Sequence, residues 1–255
     1  MLAASFAVGA ASSGAQTASK SAYYELRYFR MRTDHTEQNR RTTEFLSRYY
    51  MPAAKRAGAG PIGLFSASIA PNAPFILRLA SYPSLAAFEA ARDKLAGDAD
   101  YQKALADYNS NPDPGFMRMD SWLLRAFDSF PAMETGPADA SRPARIFELR
   151  TYESLNESSV QQKIKMFGAG GEIGIFRACG MQPVLFGEAV AGANMPHVSY
   201  MLAFENLAAR EKLWAVFQAN PDWIKLKASP DYSSPSLVIN ISNAILAPVA
   251  GSDIR

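Results

Sequence analysis

Apolar and polar residues alternate through residues 23–31, YYELRYFRM, the period-two pattern of a strand with two unlike faces. The period then lengthens. Phe45, Leu46, Tyr49, Ala53 and Ala57 fall at helical spacing across 36–57, Gly58 and Gly60 end the helix, and Pro52 inside it predicts a kink. Residues 61–69 and 74–82 read as strands of a hairpin around Ala70-Pro71-Asn72-Ala73. Residues 84–95 and 99–108 are helical, split near Gly97, 109–115 is a Pro-containing loop, and 121–130 is a fourth strand. The pattern then starts again, with strand 145–153 and helix 156–178 carrying Val160, Ile164, Phe167, Gly171, Ile175 and Cys179 on one face. Gly180 closes that helix; strands 182–190 and 197–204, helices 207–217 and 221–227, and strand 237–246 follow.

The second series copies the first. Glu25 corresponds to Glu148 at an offset of 123 residues, and Pro61, Asn72, Tyr82 and Asp100 correspond to Pro183, Asn194, Phe204 and Asp222 at an offset of 122. A period above 100 residues is too long for a solenoid repeat, so it implies two domains of one fold. Each has the order β-α-β-β-α-β of the ferredoxin-like fold, an antiparallel sheet with helices on one face. The other face needs covering, and the expected architecture is α+β, two tandem ferredoxin-like domains packed sheet to sheet. The expected boundaries are 23–130 and 145–248, joined by a Pro-, Ala- and Gly-rich linker at 131–144.

The net charge of +2 with no basic run argues against a nucleic-acid partner, and no apolar stretch approaches the ~20 residues of a membrane span. Residues 1–22 differ from the rest. Up to Gln16 they hold Ala, Ser and Gly around Leu2, Phe6 and Val8 without a charge, and Ser13-Gly14-Ala15 offers a small-residue cleavage site. This predicts a signal peptide or tail and an exported, periplasmic or secreted protein; a cytoplasmic one is the alternative. The single cysteine, Cys179, excludes an internal disulfide and reads as a buried thiol.

YELR-Y and FELRTY at the first strands, the hairpins, the Tyr/Phe-x-(Ser/Asn)-Leu segments SYPSL and AFENL, and Asn220-Pro221-Asp222-Trp223 together resemble the NIPSNAP family, once per half. In the first half the last motif has drifted to Asp98-Ala99-Asp100-Tyr101, and Gly63-Leu64-Phe65 and Leu185-Phe186 carry little of the family's aromatic second strand. The resemblance implies a dimeric α/β-barrel fold. It supplies no catalytic residue to transfer, and the wider group of such barrels, which includes cofactor-free monooxygenases and haem-handling proteins, serves only as analogy.

Strand alternation puts Tyr24, Leu26 and Tyr28 on one face of the first strand and Glu25, Arg27 and Phe29 on the other. Phe147 and Leu149, against Glu148, Arg150 and Tyr152, repeat this. The helices are expected to cover the Tyr/Phe/Leu face, so that the Glu/Arg face lines an inter-sheet cleft. Buried charges must pair. Two readings stay open: a cleft for a small apolar or anionic ligand, with arginine as clamp and glutamate as base, and structural Glu–Arg bridges tying the sheets together. His197 replaces Phe75 of the first repeat; the choices are a base or haem ligand and an ordinary strand histidine. His35 reads as a loop residue. Two distant histidines and one cysteine do not suggest a metal site, and no cofactor motif is present. The glycines of Gly168-Ala169-Gly170-Gly171 interrupt a helical pattern rather than follow a strand, so they read as close packing or a helix break, not a nucleotide loop. Tyr49, Tyr50, Trp214 and Trp223 read as core or sheet cover.

The candidate site is therefore Glu25, Arg27, Glu148, Arg150, Tyr152 and His197. The leading function is a small-molecule-binding or scaffold module. The rival is a cofactor-independent monooxygenase or related enzyme, and self-association into a homo-oligomer through exposed sheet edges is the third choice.

Overall fold

The computed structural model describes residues 21–33, 36–136 and 143–255. His35 and residues 1–20 of the expected signal segment lie outside them. The first half runs β1 (Tyr23–Arg30), α1 (Thr36–Phe45), α2 (Met51–Ala57), β2 (Ile62–Ile69), β3 (Phe75–Tyr82), α3 (Leu85–Gly97), α4 (Ala99–Asn109) and β4 (Arg118–Ala126). The second runs β5 (Ile146–Glu153), α5 (Glu157–Phe167), α6 (Glu172–Ala178), β6 (Gln182–Ala191), β7 (His197–Phe204), α7 (Leu207–Ala219), α8 (Pro221–Lys227) and β8 (Asn240–Pro248).

The eight strands close into one antiparallel barrel in the order β1-β3-β2-β8-β5-β7-β6-β4. Each half contributes a four-stranded sheet, and the sheets meet twice, at β2 against β8 and at β4 against β6. This corrects the expectation of two separately edged sheets stacked face to face. Closure pairs the outer strands of one half with those of the other, so the barrel strands offer no free edge for the strand-to-strand self-association considered above.

One hydrophobic cluster draws on all eight strands and on no helix: Tyr24, Leu26, Phe65, Leu79, Leu124, Phe147, Leu149, Leu185, Met201 and Leu246 are among its members. It fills the barrel. Two further clusters join outward-facing strand residues to the helices. Phe29, Leu64, Ile76 and Tyr82 meet Phe45, Leu46 and Ala54 in the first half. Tyr152, Phe186, Val198 and Tyr200 meet Phe167, Phe176 and Phe217 in the second. Each such apolar side chain taken from water contributes about 1.5–3 kcal/mol before entropy is counted.

Local chemistry explains the breaks. Between α1 and α2, Leu46–Tyr50 forms a π-turn, and the Met51 N–H reaches back to the Leu46 carbonyl. The extra residue carries the helix past Pro52, whose ring and missing N–H disturb ordinary helical bonding. The long helix expected over 156–178 is two helices: Gly171 at φ +91° separates them, and a side chain at Gly170 would strike the Met166 backbone. Both hairpins turn through an asparagine at positive φ, Asn72 at 56° and Asn194 at 61°, a conformation asparagine tolerates better than most residues.

Candidate functional site

Closure of the barrel reverses the expected faces of β1 and β5. The Tyr24, Leu26 and Tyr28 face points into the barrel, while Glu25, Arg27, Glu148, Arg150 and Tyr152 lie on the outer, helix-covered face. A barrel of eight strands has an interior just wide enough for side chains. Large apolar groups fill it efficiently, whereas charges there would lack the partners that the helices supply. The Glu–Arg pairs consequently stay within their own halves and do not tie the sheets together.

In the first half Glu25 pairs with Arg27 of its own strand and with Arg78 of β3. The Arg78 guanidinium lies 4.1 Å from the Tyr50 ring centre, in a cluster that also holds Tyr82, Phe88 and Tyr101. Burial opposes ionisation of Glu25, but Arg78 and Arg27 hold its carboxyl below the usual range.

In the second half Glu148, fully buried, accepts hydrogen bonds from four side chains. Arg150 Nη1 donates at 2.8 Å and Asn243 Nδ2 at 3.0 Å. From α7, Arg210 donates in bidentate fashion at 2.9 and 2.6 Å, and Trp214 Nε1 donates at 2.7 Å. Burial alone would raise the Glu148 pKa. The bonds from Arg210, Asn243 and Trp214, with the charge of Arg150, override it and keep the carboxylate ionised. One carboxylate thus fixes two guanidiniums and leaves a cation in excess. Arg150 Nη2 and Arg210 Nη1 have no protein acceptor among the described residues.

Arg150, Arg210 and Trp214 border a cavity of about 640 Å³ between the sheet and the helices of the second half, with Glu148 buried behind them. Trp214, Phe217, Trp223, Leu237 and Ile241 are among its apolar walls. Arg150 stacks 4.7 Å from the Trp214 ring centre, and its Nε donates to the Tyr152 hydroxyl at 3.3 Å. The Tyr200 hydroxyl donates to the same oxygen at 2.7 Å. A second, buried pair completes the lining: Lys163 Nζ donates to Glu172 Oε2 at 2.7 Å. Burial raises the Glu172 carboxyl pKa, and Lys163 offsets this only in part. The arrangement suits an anion with a flat apolar body, since guanidiniums supply directed donors and aromatic faces supply area.

Of the six sequence candidates, the structure places Arg150 and Tyr152 on this cavity and Glu148 buried behind Arg150. Glu25 and Arg27 form the corresponding cluster of the first half. His197 is elsewhere, inside the barrel near one end, 5.0 Å from the Trp122 ring. Arg210, Lys163 and Glu172 were not anticipated, and Trp214 is more than sheet cover. A signal for Arg210 exists in the repeat: its counterpart is Phe88, so a cation replaces an apolar residue on a helix packed over the sheet. The second arginine of the first half, Arg78, corresponds in turn to Tyr200.

Comparison with known proteins agrees with this architecture. The NIPSNAP family profile matches residues 24–129 and 147–253, and the chain belongs to that family. No curated protein matches it significantly. A proposed monooxygenase from Lactobacillus acidophilus NCFM is similar in structure, with a TM-score of 0.56 at 10% identity over 89% of this chain and 94% of that one. An anthrone oxidase-like protein has a TM-score of 0.50 at 10% identity, over 89% and 91% of the two chains. A NIPSNAP family protein of unknown function from Agrobacterium tumefaciens is 20% identical, with a TM-score of 0.39 over 44% of this chain and 95% of its own. The first two likenesses define the fold class, an α+β protein of the dimeric α/β-barrel kind.

Proposed function

We propose that this NIPSNAP-family protein binds a small molecule in the helix–sheet cavity of its second half, and that the ligand is a flat apolar anion of the aryl carboxylate class. The observation that carries the reading is the shared anchor. Glu148 holds Arg150 and Arg210 rigidly while each keeps one terminal nitrogen without a protein acceptor. Both arginines line the cavity, together with Trp214 and Trp223. The cavity size falls within the ~300–1,000 Å³ of small-molecule sites. Calorimetric titration with 2-naphthoate tests it. Arg150→Met and Arg210→Met should each weaken binding about tenfold or more, since a charged hydrogen bond contributes about 1.5–3 kcal/mol. Absence of binding, or affinity unchanged in both variants, refutes the proposal; a scaffold would instead lose stability with no ligand effect.

A second reading, a cofactor-independent monooxygenase or related small-molecule enzyme, draws support from Glu172. Its buried carboxyl borders the same cavity, and burial raises its pKa, which favours proton uptake there. Oxygen uptake with anthrone, the compound in one neighbour's name, abolished by Glu172→Gln, would support this reading; no uptake would favour simple binding. Export, expected from residues 1–22, belongs to the proposal too, and a mature protein beginning after Ala15 in its own host would support it.

A further inference from the structure

The barrel itself is packed through most of its length and hollow at one end. Leu26, Leu79, Phe65, Phe147, Met201 and Leu246 fill the packed part. At the end beneath the two hairpin turns lies a separate cavity of about 550 Å³. Its origin lies in the broken symmetry of the two repeats. Tyr28, Phe75, Leu77 and Trp122 of the first half correspond to Thr151, His197, Ser199 and Ala244 of the second, at offsets of 122 or 123. All eight positions are on barrel strands, and each second-half residue is smaller or more polar. On the lining itself this leaves the aromatic residues Tyr28, Phe75 and Trp122 together with the hydrogen-bonding Thr151, Ser242 and Asn240.

Thr151 lines the cavity, and a buried polar network runs behind it to Ser199 and His197, which do not reach the lining. The Thr151 and Ser199 hydroxyls lie 2.9 Å apart, and Ser199 Oγ is 3.4 Å from His197 Nδ1. All three residues are buried. His197 Nε2 has no hydrogen bond of ordinary geometry, with the Val198 and Ala193 backbone beside the ring, and burial lowers the imidazole pKa, so it is neutral at pH 7. The Ser199 hydroxyl and the His197 imidazole, in place of Leu77 and Phe75, cost packing and desolvation. Charge at this end is largely cancelled. Arg30 Nε pairs with Asp120 at 2.8 Å, and Glu153 accepts from Asn240 at 2.9 Å, leaving a carboxylate that disfavours anions.

We infer that the hollow end of the barrel is a second ligand site, distinct from the cationic helix–sheet cavity, and that it takes a neutral ring compound bearing a hydroxyl group, of the phenol class. The ring lies against Trp122, Tyr28 and Phe75, and the hydroxyl meets Thr151 and Ser242. The volume is generous for one bicyclic ring with water.

The three tryptophans report the two sites separately: Trp122 lines the barrel end, and Trp214 and Trp223 line the other cavity. The full chain labelled with 5-fluorotryptophan, its resonances assigned by Trp→Phe variants, is titrated with 2-naphthol and followed by fluorine NMR. The Trp122 signal should move saturably while those of Trp214 and Trp223 stay. Ser242→Phe, which fills the cavity, should abolish the shift, and Thr151→Val, which keeps the shape without the hydroxyl, should weaken binding five- to tenfold. A stationary Trp122 signal overturns the inference, as does a shift that survives unchanged in both variants, or 2-naphthoate moving Trp122 as strongly as 2-naphthol does.

Discussion

Glu148→Gln is the sharpest probe of the second-half cluster. Glutamine keeps the shape of the side chain but replaces one acceptor oxygen with a donor, and it removes the charge that balances Arg150 and Arg210. Five hydrogen bonds from four side chains converge on the carboxylate. With one acceptor gone, some of them become donor against donor. Breaking a buried ion pair by removing one partner costs about 3–5 kcal/mol. The lower end applies here, because Arg150 and Arg210 keep 14% and 21% of their side-chain surface exposed and can turn partly to water. For a protein of this size about 2–4 °C of Tm accompanies each kcal/mol, so the variant should melt about 10 °C below the parent at pH 7. The pH dependence has a definite sign. The folded pKa of Glu148 is depressed, so its contribution is complete above the unfolded carboxylate value of about 4.3 and is lost as pH falls through the folded value. The gap between parent and variant should therefore narrow in acid. Thermal unfolding followed by circular dichroism across that range measures both. A deficit under 3 °C at pH 7, or one that persists undiminished in acid, would show that Glu148 is not the anchor described.

Lys163→Met alone strands Glu172 in the core and should cost about 3 kcal/mol, whereas Lys163→Met with Glu172→Met should recover most of it, since apolar replacement of a whole buried pair is often neutral; urea denaturation of the three proteins decides, and equal losses in single and double variants would contradict it. His197 has a depressed folded pKa, so its share of stability is intact above about pH 6.5 and declines as pH falls below it; His197→Gln should flatten the Tm profile of the parent between pH 7 and 5, and an unaltered slope would count against a buried neutral imidazole. Gly170→Ala should lower Tm by several degrees, because its Cβ would sit 2.6 Å from the Met166 carbonyl oxygen, while Gly97→Ala, with open space around it, should not.

Much of the fold could be read from residue pattern. The duplicated order of strands and helices is present, and the glycines after Phe167 do break a helix. The orientation of the first strands could not be read, for a physical reason. β1 and β5 share one burial pattern in which both faces are covered, one by the barrel interior and one by helices, so alternation distinguishes two faces without saying which is which. Chemistry decided against the simpler guess: tyrosine and leucine fill a narrow barrel, and glutamate and arginine go where α7 or a neighbouring strand supplies partners. The site was legible only through its strand residues. Arg210, Lys163 and Glu172 come from helices whose charged positions look solvent-facing until the packing is known. The hollow barrel end was partly visible as His197 in place of Phe75, but its volume required the neighbouring exchanges Tyr28 to Thr151 and Trp122 to Ala244 as well.

The central claim is that the helix–sheet cavity of the second half holds an anion between two arginines anchored by Glu148. A crystal structure of the protein with 2-naphthoate tests it most directly. The account predicts density in that cavity, with the carboxylate on Arg150 and Arg210 and the rings against Trp214 and Trp223. An empty cavity at a saturating concentration, or a naphthoate bound with its carboxylate turned away from both arginines, would contradict it.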